Sequence, residues 1–128
     1  MSTEDPAQSA AHAGGTTSDI PVEPQSLEWM RRLVAIPSIS GSSNLGVIEL
    51  IEAEFARYGY TGQRTYNTDQ TRANLWVTVP AADGSTEGGI VISGHTDVVP
   101  VEGQTWDSDP FTLRVEGSRA YGRGVCDM

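Results

Sequence analysis

Residues 90–100 read Ile-Val-Ile-Ser-Gly-His-Thr-Asp-Val-Val-Pro. The first four are almost continuously apolar, which is typical of a strand covered on both faces of a sheet. Sites in open α/β sheets form just beyond the ends of strands, so the polar residues that follow stand where a functional site is expected. The stretch therefore predicts a buried strand at 90–93 that leads directly into a site at His95 and Asp97.

The residues before this stretch predict two amphipathic helices and a further strand. The first helix begins near Ser26 and ends before Pro37, because apolar residues recur there at helical spacing. The second runs from about Asn44 to Tyr58, with Gly59 as its C-terminal cap. Strict alternation of apolar and polar residues predicts a strand at 73–79. Helices followed by such strands indicate an α/β architecture.

Residues 1–24 differ in composition from the rest of the chain. They are rich in Ser, Thr, Ala, Gly and Pro and contain no Lys or Arg, so we predict a disordered tail followed by an ordered region at 25–128. His12, which has no neighbouring metal-ligand residue types, is expected to be inert. The tail lacks the basic start and apolar middle of a secretory signal. Together with the lack of a long apolar run, this predicts a cytoplasmic protein that does not enter a membrane.

Charge and cysteine content exclude further classes. The net charge is −9, from 17 acidic and 8 basic residues, and such a surface repels the phosphates of nucleic acid. The single cysteine, Cys126, rules out an intramolecular disulfide. A nucleophilic role for Cys126 would need a basic partner, and we favour a structural role because the one histidine in the ordered region, His95, has another use.

His95 and Asp97 are two residues apart, so in extended backbone their side chains lie on the same side. A neutral imidazole is a good zinc ligand, and a neighbouring carboxylate can hold its other N–H and fix the tautomer. The pair is thus a candidate metal ligand with the carboxylate that orients it. From these residues alone, a histidine that is merely hydrogen-bonded at a strand end remains an alternative.

Two later segments add acidic residues. Residues 106–111, Trp-Asp-Ser-Asp-Pro-Phe, predict a turn held by Pro110, in which Asp107 and Asp109 are candidate ligands that we expect to be structural. Residues 121–128, Tyr-Gly-Arg-Gly-Val-Cys-Asp-Met, place Asp127 on a loop constrained by two glycines. A carboxylate presented in this way can bridge two metal ions.

Taken together, these motifs resemble the dizinc aminoacylase/carboxypeptidase family, of the acetylornithine deacetylase and succinyl-diaminopimelate desuccinylase type. The resemblance is carried by Ser93-Gly-His-Thr-Asp-Val-Val-Pro100, Trp106-x-x-Asp-Pro-Phe111 and Tyr121-Gly-Arg-Gly-Val-Cys-Asp-Met128, with the two aspartates 127 − 97 = 30 residues apart. It extends back to about Leu27. The softer signals, which are Ser43-Asn44-Leu45, the helix after it and Ala73-Asn74-Leu75, look most like acetylornithine deacetylase. It implies the N-terminal part of a zinc-exopeptidase-like domain, with a mixed central sheet flanked by helices.

The resemblance also implies roles for individual residues. His95 would bind one of two zinc ions, for which cobalt could substitute, Asp97 would act in catalysis by orienting His95, and Asp127 would bridge both ions. The family often has a cis peptide after the bridging aspartate, which here would be the bond from Asp127 to Met128. Such a bond costs about 2.5–4 kcal/mol outside proline.

The family pattern continues past Met128 with further metal ligands, a general base and a dimerisation domain. The resemblance therefore implies an N-terminal fragment, expected to be inactive alone and to expose apolar surface. The whole protein is expected to be a homodimer that hydrolyses N-acetylornithine to ornithine and acetate in arginine biosynthesis. Succinyl-diaminopimelate, another acylamino acid or a dipeptide are alternative substrates, and a non-catalytic binding protein that keeps only the fold is the alternative of another class.

Overall fold

The computed structural model describes residues 24–128, which form two helices followed by two small antiparallel sheets. In chain order the elements are α1 (Pro24–Val34), α2 (Leu45–Arg57), β1 (Gly62–Tyr66), β2 (Ala73–Val77), β3 (Arg114–Glu116) and β4 (Arg119–Tyr121). The predicted tail, including His12, lies outside the described residues, except for Pro24, which begins α1. Helices and strands are both present, as the α/β prediction requires.

Both helices form where the apolar spacing predicts them. Proline suits the first position of α1, because its fixed φ is helical and the first turn leaves its N–H without a partner in any case. The prediction that Gly59 caps α2 is confirmed: Gly59 has a φ of +83°, and its N–H donates to the carbonyl of Ala56 at 3.0 Å. α2 turns its buried residues Val47 and Ile48 toward the core.

The first hairpin joins β1 to the strand predicted at 73–79. That strand ends at Val77, and its exposure alternates along its length as predicted. β1 pairs with it from Gly62 opposite Val77 to Tyr66 opposite Ala73. The sequence did not indicate β1, because Gly-Gln-Arg-Thr-Tyr carries no apolar alternation; its pairing with β2 decides its conformation.

The buried strand predicted at 90–93 is wrong for the structure described. These residues form no strand, and Ile90, Val91 and Ile92 are 91 %, 69 % and 94 % exposed. A strand needs neighbours that accept and donate its backbone hydrogen bonds, and within residues 24–128 none pairs with this segment. The prediction of exposed apolar surface is confirmed by the same three side chains.

A short parallel contact organises the segment that follows. Ile39 and Val98 form an isolated bridge, in which the Val98 N–H donates to Ser38 O at 3.0 Å and the Ser40 N–H donates to Val98 O at 2.8 Å. Val98 is buried, together with Val34, Val47, Ile48, Ala73 and Leu113. The bridge therefore fixes residues 95–97 beside the loop between α1 and α2.

The second hairpin, β3–β4, follows the predicted turn around Pro110. Its strands have three residues each and turn at Gly117, which has a φ of +57°. Elements this short leave little periodic signal, so the sequence did not predict them. The longest helix in residues 24–128 has 13 residues, and none there is long and apolar enough to cross a membrane.

Candidate active site

The three residues selected from the sequence lie together in the structure. The Nδ1 atom of His95 is 3.1 Å from Oδ1 of Asp97 and 2.9 Å from the Asp97 carbonyl oxygen. Its Nε2 atom is 3.0 Å from Oδ1 of Asp127. The imidazole thus stands between two carboxylates that are far apart in the chain, one on each ring nitrogen.

These contacts shift the protonation equilibria of the pair. The Asp127 carboxylate, and after it the Asp97 carboxylate, raise the pKa of His95 above its ordinary value of 6.5 because both accept hydrogen bonds from the protonated ring. Hydrogen bonds from Ser40 and then His95 lower the pKa of Asp97. The site is open to solvent, with the His95 side chain 50 % exposed and that of Asp127 90 % exposed.

Ser40 and Ser38 hold the segment that carries His95. The Ser40 hydroxyl donates to Oδ2 of Asp97 at 2.6 Å, and the buried Ser38 hydroxyl donates to the Thr96 carbonyl at 2.6 Å. Both serines come from the loop between α1 and α2, more than 50 positions away in sequence. Sequence reasoning missed them, since serines at 38 and 40 gain a role only through the bridge between Ile39 and Val98.

Asn44 connects the same segment to the first hairpin. Its Nδ2 atom donates to Ala73 O at 2.9 Å and to Thr96 Oγ1 at 3.2 Å, and its Oδ1 accepts the Ala73 N–H at 2.9 Å. Asn44 directly precedes α2 but makes no capping hydrogen bond with its side chain. It instead joins α2, β2 and the residue between His95 and Asp97.

The loop that presents Asp127 depends on its glycines, as predicted. Gly124 has a φ of +89°, and a Cβ there would lie 3.0 Å from Cγ1 of Val98. The expected cis peptide after Asp127 is absent: residues 24–128 contain none. Met128 is 59 % exposed and the Asp127 side chain is 90 % exposed, so few packing contacts around this bond could offset the cost of a cis isomer.

The two other acidic candidates, Asp109 and Asp107, differ in their hydrogen bonds. Asp109 accepts hydrogen bonds from the Phe111 N–H and the Thr112 hydroxyl, both at 2.9 Å, so its predicted structural role in the turn is confirmed. Asp107 is exposed and makes no side-chain hydrogen bond within the described residues, so the structure assigns it neither role.

Cys126 is a free, exposed thiol. Both nitrogens of His95 face carboxylates, so the imidazole is not placed as a base for the thiol. The structure thus gives no support to a nucleophilic Cys126. Its exposure also gives no support to the packing role that we expected.

His95 and Asp127 suit a metal ion in both chemistry and spacing. At ordinary Zn–N and Zn–O distances, two ligands of one tetrahedral zinc ion lie about 3.4 Å apart, close to the 3.0 Å between Nε2 and Oδ1. Residues 24–128 contain no group of three or more His, Cys, Asp or Glu side chains arranged to hold a metal. They therefore offer two donors, where zinc sites use three or four from the protein.

The segment that carries these residues is similar to a known protein family. Residues 91–128 match the model of peptidase family M20/M25/M40. The segment with all three candidate residues thus matches this family in sequence. The family match includes His95, Asp97 and Asp127, and it confirms the resemblance seen in the sequence motifs.

Similarity to individual proteins extends over most of this chain's length. It is 36 % identical over 112 residues to an acetylornithine deacetylase of Erwinia tasmaniensis, covering 82 % of this chain and 28 % of the relative. It is 34 % identical over 114 residues to an acetylornithine deacetylase of Salmonella arizonae, covering 84 % and 29 %. The chain thus spans less than a third of the length of the curated relatives it matches.

Proposed function

We propose that the protein hydrolyses the amide bond of an N-acyl amino acid with the help of bound metal ions. One observation carries the proposal: the imidazole of His95 lies with one nitrogen on Asp97 and the other on Asp127, inside the segment that matches peptidase family M20/M25/M40.

Each residue has a distinct proposed role. Nε2 of His95 would bind one metal ion, while Asp97 holds the proton on Nδ1 and so keeps Nε2 free to ligate. Asp127 would bridge two ions with its two oxygens. Because residues 24–128 supply only these donors, we propose that further ligands come from elsewhere in the whole protein, and that residues 1–128 alone do not turn over substrate.

Zinc is the proposed metal, since imidazole and carboxylate ligands suit it, and cobalt fits the same donors. When bound, such ions lower the pKa of water and polarise an acyl carbonyl. The chain's own contribution is to hold the donors in place, with Asp97 oriented by Ser40 and Asp127 presented by the loop at Gly124.

We propose N-acetylornithine as the substrate, with ornithine and acetate as products, in arginine biosynthesis. This rests on similarity to relatives that are named acetylornithine deacetylases. We further propose a cytoplasmic homodimer built on a mixed central sheet flanked by helices. No nucleic acid partner is proposed, because the net charge is −9.

Metal content and acetate release from N-acetylornithine test the proposal on the whole protein. We expect bound zinc and turnover that a chelator removes, and loss of both when His95→Ala or Asp127→Asn is introduced. Asp107→Asn is the matched control, since it also neutralises an exposed aspartate but should leave metal and turnover unchanged.

Two results would contradict the proposal. If the Asp127→Asn variant turned over substrate at the wild-type rate, Asp127 would not be part of the site. Succinate release from succinyl-diaminopimelate that greatly exceeds acetate release would replace the substrate while keeping the hydrolase.

A further inference from the structure

A chain of hydrogen bonds runs from the loop between α1 and α2 to the candidate metal ligand. Ser40 Oγ donates to Oδ2 of Asp97 at 2.6 Å, and Oδ1 of the same carboxylate is 3.1 Å from His95 Nδ1. Nε2 of His95 points to Asp127 at 3.0 Å. Each carboxylate oxygen of Asp97 therefore faces one partner: Oδ2 faces the Ser40 hydroxyl and Oδ1 faces the His95 ring.

Ser40 is held in place to make this contact. Its backbone N–H donates to Val98 O at 2.8 Å, so the hydroxyl starts from a fixed position beside residues 97 and 98. That hydroxyl has one proton and two acceptors within reach, Asp97 Oδ2 at 2.6 Å and Val98 O at 3.3 Å. The carboxylate is the nearer and, being charged, the stronger acceptor.

We propose that Ser40 is a positioning residue that sets the tautomer of His95 through Asp97. With Oδ2 anchored by Ser40, the carboxylate cannot rotate away from the ring, and Oδ1 stays on Nδ1. A proton on Nδ1 then has two acceptors, Oδ1 and the Asp97 carbonyl oxygen at 2.9 Å, whereas a proton on Nε2 has one, Oδ1 of Asp127. The anchored Asp97 carboxylate thus favours the Nδ1–H tautomer, which leaves the Nε2 lone pair available to a ligand. The inference rests on the proposed function only for the use of that lone pair in binding a metal ion.

Neighbouring serines separate this role from a general structural one. Ser38 makes a hydrogen bond of the same length, but to the backbone oxygen of Thr96, so it supports the segment without touching Asp97. Ser42 is exposed and has no side-chain hydrogen bond among the described residues. Ser42→Ala is thus a matched control for Ser40→Ala on the same loop.

The experiment measures the tautomer of His95 directly, in the metal-free full chain carrying ¹⁵N-labelled histidine. Long-range ¹H–¹⁵N correlation spectra report which ring nitrogen carries the proton, and His95→Gln identifies the His95 signals by their disappearance. Spectra are taken about two pH units above the titration midpoint of His95 in each variant, where the ring is neutral. Zinc alone is then titrated into each protein.

We expect Ser40→Ala to lower the ratio of the Nδ1–H to the Nε2–H tautomer by about threefold to tenfold, the equivalent of one hydrogen bond. Ser40→Thr keeps the hydroxyl and should restore the wild-type ratio, while Ser42→Ala should not change it. Zinc affinity should fall about tenfold in Ser40→Ala, the low end for residues behind a ligand.

An unchanged tautomer ratio in Ser40→Ala, with an intact backbone spectrum, would overturn the proposal. So would the same shift in Ser42→Ala, or failure of Ser40→Thr to restore the ratio. The zinc titration tests the proposed function separately: a wild-type chain of full length that binds no zinc refutes the metal site, whereas the tautomer ratio alone decides the role of Ser40.

Discussion

Replacing Asn44 with alanine should destabilise the protein far more than its place before a helix suggests. The substitution removes hydrogen bonds to Ala73 O, to the Ala73 N–H and to Thr96 Oγ1. At about 1 kcal/mol for each net hydrogen bond, the free energy of unfolding should fall by about 3 kcal/mol. The loss should lie toward the upper end because Ala73 is buried, so water replaces the lost partners poorly.

Urea unfolding provides the assay. At a denaturant slope of about 1.5 kcal/mol per molar, the loss lowers the midpoint by about 2 M. Asn44→Asp keeps the acceptor for the Ala73 N–H and loses both donor contacts, so it should cost about 2 kcal/mol. Asn74→Ala is the control, since Asn74 is exposed on β2 and should change stability by less than about 0.5 kcal/mol.

The reasoning is refuted if Asn44→Ala unfolds at the same urea concentration as Asn74→Ala. A loss in Asn44→Asp equal to that in Asn44→Ala would refute a narrower point. It would show that the Oδ1 contact with the Ala73 N–H adds nothing to stability.

Gly124→Ala should cost about 1–3 kcal/mol, because alanine is strained at positive φ, and should also weaken zinc binding, because the new Cβ meets Val98 at 3.0 Å. Gly117→Ala, at positive φ in open space, should lose stability in urea but keep its zinc affinity; equal zinc affinities in both variants would contradict this. The raised pKa of His95 makes the folded metal-free protein bind a proton more tightly than the unfolded chain. This stabilisation is complete below about pH 6.5 and is lost as the pH rises through the folded value, so the stability advantage of wild type over His95→Gln should shrink toward alkaline pH; an advantage that grows would reverse the assignment.

Local patterns were sufficient to predict some elements. The apolar spacing of both helices depends on residues within the helix itself, as does the φ of Gly59, so these predictions were confirmed. The alternation in β2 was equally local. β1 was missed and the strand at 90–93 was wrong for one shared reason: strand formation depends on a partner, and the pattern of a single segment does not contain its partner.

The candidate site shows the same difference between features that the local sequence indicates and features that depend on distant segments. His95, Asp97 and Asp127 were selected as candidates from residue type and spacing. His95 and Asp97 alone left a merely hydrogen-bonded histidine as an alternative, and the roles of all three came from the resemblance of the longer motifs to a known family. Ser40 and Asn44 were not recognised as part of the site. Neither residue type is distinctive, and each contacts the site across more than 50 positions of chain.

The sequence by itself thus indicated the family resemblance, the helices and the three candidate site residues, because each depends on short motifs of neighbouring residues. Only the tertiary structure decided that Asp127 meets the ring nitrogen of His95 opposite to Asp97. It also decided that Ser40 and Asn44, from the loop before α2, hold the segment 95–97 through Asp97 and Thr96. Those contacts arise from the bridge between Ile39 and Val98, since backbone pairing between distant segments sets which side chains come within hydrogen-bonding distance.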